Sequence, residues 1–181
     1  MTSRLTGLEL FIRIIDALND AIGRAASWLM LFMVLAAVTV AVLRYVFSIG
    51  FVWMQESYLW MHGALIMLGA AYTLRHGGHV RVDVFYGRMT PRRRALIDMA
   101  GVLLFLLPLV SVVFYISLPY VAESWQKRES SFQAGGMPGV YLLKTLIPVF
   151  CVLTALQGLA MLARAWLVLR APQEPQEPQD G

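Results

Sequence analysis

Two ionisable side chains stand out because almost everything around them is apolar. His62 is the one ionisable side chain within the run Ser57–Leu74, and Glu56 precedes it by six residues, about 9 Å along a helix axis. An imidazole in such a run is a functional candidate. It could relay protons, ligate a haem, or stay neutral and hydrogen-bond a neighbouring helix. Haem held by two histidines needs them on facing helices at similar depth, and the other two, His76 and His79, fall beyond the far end of the run. The neutral, hydrogen-bonded role is the expectation for His62. Glu56 lies between Trp53 and Trp60, and aromatic belts of this kind mark a membrane–water interface. Three roles follow for its carboxylate: coupling to proton movement, a salt bridge to a partner subunit or to external Lys and Arg, and simple solvation. The flanking tryptophans argue against the first. His76, His79 and Asp83 carry metal-ligating atoms, but two intervening glycines, the lack of a fourth ligand and the dense local positive charge oppose a metal site. Cys151 is the single cysteine, which excludes an intrachain disulfide and a cysteine metal cluster. No catalytic residue, no metal and no cofactor is expected.

The elements that carry these residues follow from composition. Of 181 residues, 59% are hydrophobic and 14% charged, and the mean hydropathy is +0.65. Soluble domains have about a quarter of their residues charged. The deficit, gathered in long runs, indicates an all-α integral membrane protein forming one domain over residues 1–170. A net charge of +4 could suggest nucleic acid. The arginines, however, flank apolar runs, where topology and anionic headgroups account for them, so no nucleic-acid partner is expected.

Four uncharged runs, about 25–43, 57–74, 99–122 and 145–163, are each long enough to span or nearly span a hydrocarbon core of about 30 Å. In lipid the backbone must bond to itself, which makes them helices. Ahead of them, residues 5–22 have a helical period. Leu5, Leu8, Ile12 and Ile15 line one side, and Glu9, Arg13, Asp16, Asp20 and Arg24 the other. This predicts a separate amphipathic helix in the membrane surface. The acidic residues also exclude a cleavable signal. Eleven Lys and Arg fall in the N-terminal segment, second loop and tail, against four (Arg44, Lys127, Arg128, Lys144) in the other loops. That asymmetry puts both termini in the cytoplasm.

Finer features follow. His76-Gly77-Gly78-His79 breaks the second helix, and a short interfacial helix is expected near Asp83. Thr90-Pro91 looks like an N-cap followed by a first-turn proline, and Pro108 should kink the third span. Gly63 and Ala64, repeated seven positions on as Ala70 and Ala71, offer a face for close helix approach. Residues 130–139 form an external turn, and the Pro/Gln/Glu tail 171–181 is expected to be disordered. The candidate contacts to a partner subunit or to lipid are Trp53, Glu56, Trp60 and His62 at the entry, and Gly63 and Ala70 along the helix. Arg75, His79, Arg81, Asp83, Arg92, Arg93 and Arg94 complete the set at its basic end, where the last three arginines are read as holding lipid phosphates and setting topology. The central thirds of the spans hold almost nothing polar. That pattern favours an accessory or scaffold role over a carrier with its own substrate path.

Several stretches together resemble a known family. The Trp53–Glu56 entry, Gly69–Asp83 (GAAYTLRHGGHVRVD), Thr90–Arg94 (TPRRR), Gly135–Gly139 (GGMPG), Lys144, Pro148 and Leu156-Gln157-Gly158 are similar, in order and spacing, to the small membrane subunit, DctQ type, of tripartite ATP-independent periplasmic (TRAP) transporters. The resemblance implies a multi-pass scaffold subunit of a bacterial inner-membrane system. There a periplasmic solute-binding protein delivers an organic acid to a large permease subunit, which imports it with sodium. The family's substrate and sodium sites belong to the large subunit, so none is carried onto this chain. The alternatives are a self-sufficient small proton-coupled transporter, in which Glu56 or His62 would be essential, and the membrane anchor of a redox enzyme.

Overall fold

The computed structural model describes residues 7–78 and 89–170. They form four helices: α1 (Gly7–Val46), α2 (Val52–Arg75), α3 (Pro91–Gln126) and α4 (Val140–Arg170). Among the described residues the only β-structure is one bridge, Ser130 to Pro138. Each uncharged run is helical, as expected. Three helices, α1, α3 and α4, are long and apolar enough to cross a membrane. Helix α2, with 24 residues, has the length, about 36 Å, but is less apolar, because Tyr58, Trp60, His62, Tyr72 and Thr73 dilute it.

The N-terminal amphipathic segment is not a separate helix, which corrects the expectation. Helix α1 runs unbroken for 40 residues. The reason lies in its packing face. Ile12, Ile15, Asn19, Ile22, Ala26, Leu29, Met33, Ala36, Val40 and Leu43 are all buried or half-buried at alternating spacings of three and four. That 3.5-residue period keeps one seam against a partner helix along the whole length. Asp16 and Asp20 flank the seam and meet arginines of other helices, so no break is needed to send them to headgroups.

Helix α4 is the centre of the bundle. It touches α1, α2 and α3, while α3 packs chiefly on α4. Its buried residues include Cys151, Gly158, Ala160, Ala163 and Ala165, small side chains that let neighbours approach closely. A Cβ on Gly158 would overlap Leu106 of α3, and one on Gly23 would overlap the Tyr72 ring of α2. Gly63, singled out from sequence, is looser: a Cβ there would sit 3.7 Å from Leu143, an ordinary contact. Ala71, by contrast, is fully buried.

The helix ends are set by local chemistry. After Arg75, Gly77 adopts φ +66°, its N–H bonds to the Leu74 carbonyl and that of Gly78 to the Thr73 carbonyl. This paired closure needs a left-handed residue, which glycine supplies without steric cost. Thr90 is extended ahead of Pro91, the first residue of α3, although its hydroxyl makes no capping bond. Pro108 lacks the N–H that would bond to Leu104. The distortion it causes is a π turn at Val102–Leu106, a wide turn that accommodates the missing bond.

Candidate functional site

Polar groups gather at the two ends of the bundle. At the end where α1 begins and α4 finishes, α1, α2 and α4 share an ionic cluster. Arg164 of α4 pairs with Asp16. Arg75 of α2 pairs with Asp20, lies 3.6 Å from the Asp16 carboxylate and donates to the Asp16 carbonyl oxygen at 2.8 Å. Two carboxylates face two guanidiniums, so the cluster is neutral overall. Beneath it, Asn19 Nδ2 donates to Gln157 Oε1 at 2.6 Å, and Gln157 Nε2 donates to Asp16 Oδ1 at 3.2 Å. Asn19 and Gln157 are 1% and 0% exposed, so this amide pair is sealed from solvent. His76 stacks on Tyr72 with ring centroids 4.2 Å apart, and its Nε2 lies 3.7 Å from Asp20. The arrangement can clamp three helices. It offers no surplus charge to a dissolved ion.

At the opposite end Glu56 acts as a latch. Its carboxylate accepts hydrogen bonds from the Ser131 hydroxyl and from the Met137 N–H at 2.6 Å. It is therefore neither simply solvated nor, among the described residues, bridged to a Lys or Arg. It fastens the turn between α3 and α4, closed further by the bond from Ser131 N–H to the Met137 carbonyl at 3.1 Å. Beside it, Lys144 pairs with Glu129 at 2.5 Å and sits over the Tyr120 ring at 4.0 Å. Ser124 donates to the same Glu129 carboxylate at 2.6 Å. The Lys144 ammonium, then the Ser124 hydroxyl, hold the Glu129 carboxyl below its ordinary pKa. Trp125 Nε1 donates to Thr145 at 2.9 Å, tying α3 to α4.

The other expected residues scatter. Trp53 is half exposed at the start of α2. Trp60 borders an apolar cleft of about 310 Å³ with Leu29, Ala64, Leu143 and Leu146. Ala70 is half-buried. Arg92 donates to the Leu169 carbonyl at 3.1 Å, Arg93 is exposed, and Arg94 shares a cleft with Asp98 and Arg164. His79, Arg81, Asp83 and the helix expected near Asp83 lie outside the described residues, as does the tail. His62 is exposed on the outer face of α2 and bonds to none of the described residues, so no helix among them supplies the bond expected for it. The sequence reading missed the Asn19–Gln157 pair and both close glycines, Gly23 and Gly158. A signal existed for one of them: Asn19 falls at a heptad position of an otherwise apolar seam.

Long apolar helices whose ion pairs, among the described residues, lie at the two ends define a helical membrane protein. Over residues 20–168 the chain matches the model of the DctQ component of tripartite ATP-independent periplasmic transporters, and it belongs to that family. It is thus a small permease subunit of such a transporter, a transport component and not an enzyme. No curated protein and no solved structure matches it.

Proposed function

We propose that this chain is the scaffold of a sodium-coupled importer of an organic acid in a bacterial inner membrane. It braces a large permease subunit that receives its solute from a periplasmic binding protein. In this reading α2 is a fourth span, residues 1–170 form one membrane domain and both termini are cytoplasmic. The arginine-rich termini end and the positive-inside rule support that orientation. One observation carries the scaffold role: the ionic groups joining the helices neutralise one another at the ends. Asp16 and Asp20 meet Arg75 and Arg164, Glu129 meets Lys144, and Glu56 is spent on the turn. A carrier needs polar groups free to bind solute and let it go near the midplane. Here such groups lock helices together instead, which suits a brace.

Reconstitution tests the reading. Liposomes holding this chain alone should take up no organic acid under a sodium gradient. Adding the large subunit and the binding protein should restore uptake. Sodium-driven uptake by the purified chain alone overturns the proposal. A haem absorbance band on purification would point instead to a redox anchor.

A further inference from the structure

Among the described residues, the outward face of α2 is set apart from those of the other helices by an exposed imidazole. Helix α3 turns Leu104, Phe105, Leu109 and Val112 outward, and α1 turns Phe32, Leu35 and Val38 outward. Those faces are mostly hydrocarbon, apart from Thr39, whose hydroxyl is satisfied by the Leu35 carbonyl, and the hydroxyls of Ser111 and Tyr115, and they suit lipid chains. On α2 the outward stripe is Leu59, His62, Ile66, Gly69 and Thr73. Leu59 and Ile66 are 58% and 57% exposed, and His62 and Thr73 are exposed as well. The spacings of three, four, three and four hold the stripe to one side of the helix. The opposite side is occupied within the chain, by Ala71 in the core, Tyr72 against Gly23 and Trp60 in the cleft toward α1 and α4.

The Thr73 hydroxyl is satisfied by the Gly69 carbonyl at 3.0 Å. The imidazole has no such partner among the described residues. It lies about 9 Å below Glu56 along the helix, within the hydrocarbon zone of the proposed topology, where an unbonded polar group is costly. Gly69, one turn further along, leaves open space where a Cβ would be, so a neighbouring backbone can come close. At that depth only a helix can present itself without orphaned backbone groups.

We infer that the Leu59–His62–Ile66–Gly69–Thr73 stripe of α2 is the docking surface for a transmembrane helix of the large permease subunit, with a polar side chain of that helix hydrogen-bonded to His62. The inference rests on the scaffold reading above and assigns it a face. A lipid-covered stripe would leave the imidazole unbonded. A tripartite system supplies a second membrane chain to cover it.

Photocrosslinking in the intact complex tests this. A benzophenone amino acid is placed at Leu59, His62 or Ile66, and at Leu109 of α3 and Leu35 of α1 as controls. Adducts of this chain with the large subunit are expected from the three α2 positions and not from the controls. In parallel, His62→Leu should weaken association of the purified subunits by about threefold to tenfold, while His62→Gln, which keeps a donor and an acceptor, should recover most of it. Adducts from the α1 or α3 controls alone overturn the assignment. So do α2 adducts with a second copy of this chain, α2 adducts with lipid only, or a His62→Leu variant that binds like the parent. If no large subunit co-purifies at all, the scaffold reading itself fails, a result distinguishable from a wrongly assigned face.

Discussion

The sealed amide pair between α1 and α4 allows a quantitative test of what holds the bundle together. Asn19 Nδ2 donates to Gln157 Oε1 and Gln157 Nε2 to Asp16. Replacing Gln157 by Leu conserves volume approximately, removes both bonds and strands the Asn19 amide in a place without solvent. Its Oδ1 already lacks a partner, so nothing else takes up the orphaned group. A buried donor left unmade costs about 1–3 kcal/mol, and interhelical bonds in membranes fall toward the low end. Gln157→Leu should therefore destabilise by about 1.5 kcal/mol. Asn19→Leu leaves Gln157 bonded to Asp16 and should cost about 1 kcal/mol. The double variant removes both amides, and Asp16 keeps Arg75 and Arg164. It should cost about 1 kcal/mol, well under the sum of the single changes. Reversible unfolding in mixed micelles, followed by tryptophan fluorescence, reads all four corners of the cycle. Additivity within about 0.3 kcal/mol would refute the claim that these amides act as a pair.

Four further outcomes follow from the geometry. Gly23→Ala puts a methyl into the Cβ and ring of Tyr72 and should destabilise by about 1–3 kcal/mol. Gly63→Ala, with 3.7 Å to Leu143, should be within about 0.5 kcal/mol of the parent in the same unfolding assay. Glu129 has its pKa depressed in the folded chain by Lys144 and Ser124, so its stabilisation is present above the ordinary carboxylate pKa and lost as pH falls through the folded value. Acidification should loosen the α3–α4 turn, and Glu129→Gln should flatten that dependence in a pH series of unfolding midpoints. Glu56→Ala frees two bonds that fasten residues 131 and 137, so limited proteolysis at Lys127 and Arg128 should accelerate while helix content stays unchanged.

The helices were legible in the sequence because each depends on local information. Uncharged length fixed the four runs, His76-Gly77-Gly78 stopped α2, Thr90-Pro91 started α3, and Pro108 announced its distortion. What stayed hidden depends on pairs far apart in the chain. Asp16 and Asp20 read as a solvent-facing stripe because their partners, Arg75 and Arg164, lie 59 and 148 residues away. Periodicity gives the angle of a side chain about its own helix and says nothing of what stands opposite. Glu56 was misread for the same reason: its partners are a hydroxyl and a backbone N–H about 75 and 81 residues downstream, and no charge pattern marks either one. His62 shows the converse. The apolar run made it conspicuous, and a bond to a neighbouring helix was expected, yet the bundle turns it outward, away from the other described helices.

On the proposed scaffold reading, these placements bear on how the chain would assist transport. The Asp16 cluster joins α1, α2 and α4 at one end, the latch joins α2 to the α3–α4 turn at the other, and π turn and glycine contacts seat α3 on α4 between them. Relative sliding of α2 against α4 would have to break contacts at both ends together, so the pair moves as one body. If α2 also carries the docking stripe, the stiffened pair is the part in contact with the large subunit, and the two clusters set the angle at which it is presented. The scaffold's contribution then lies in orientation. Loosening either cluster should lower coupled uptake while leaving the subunits associated, whereas altering His62 should lower association first.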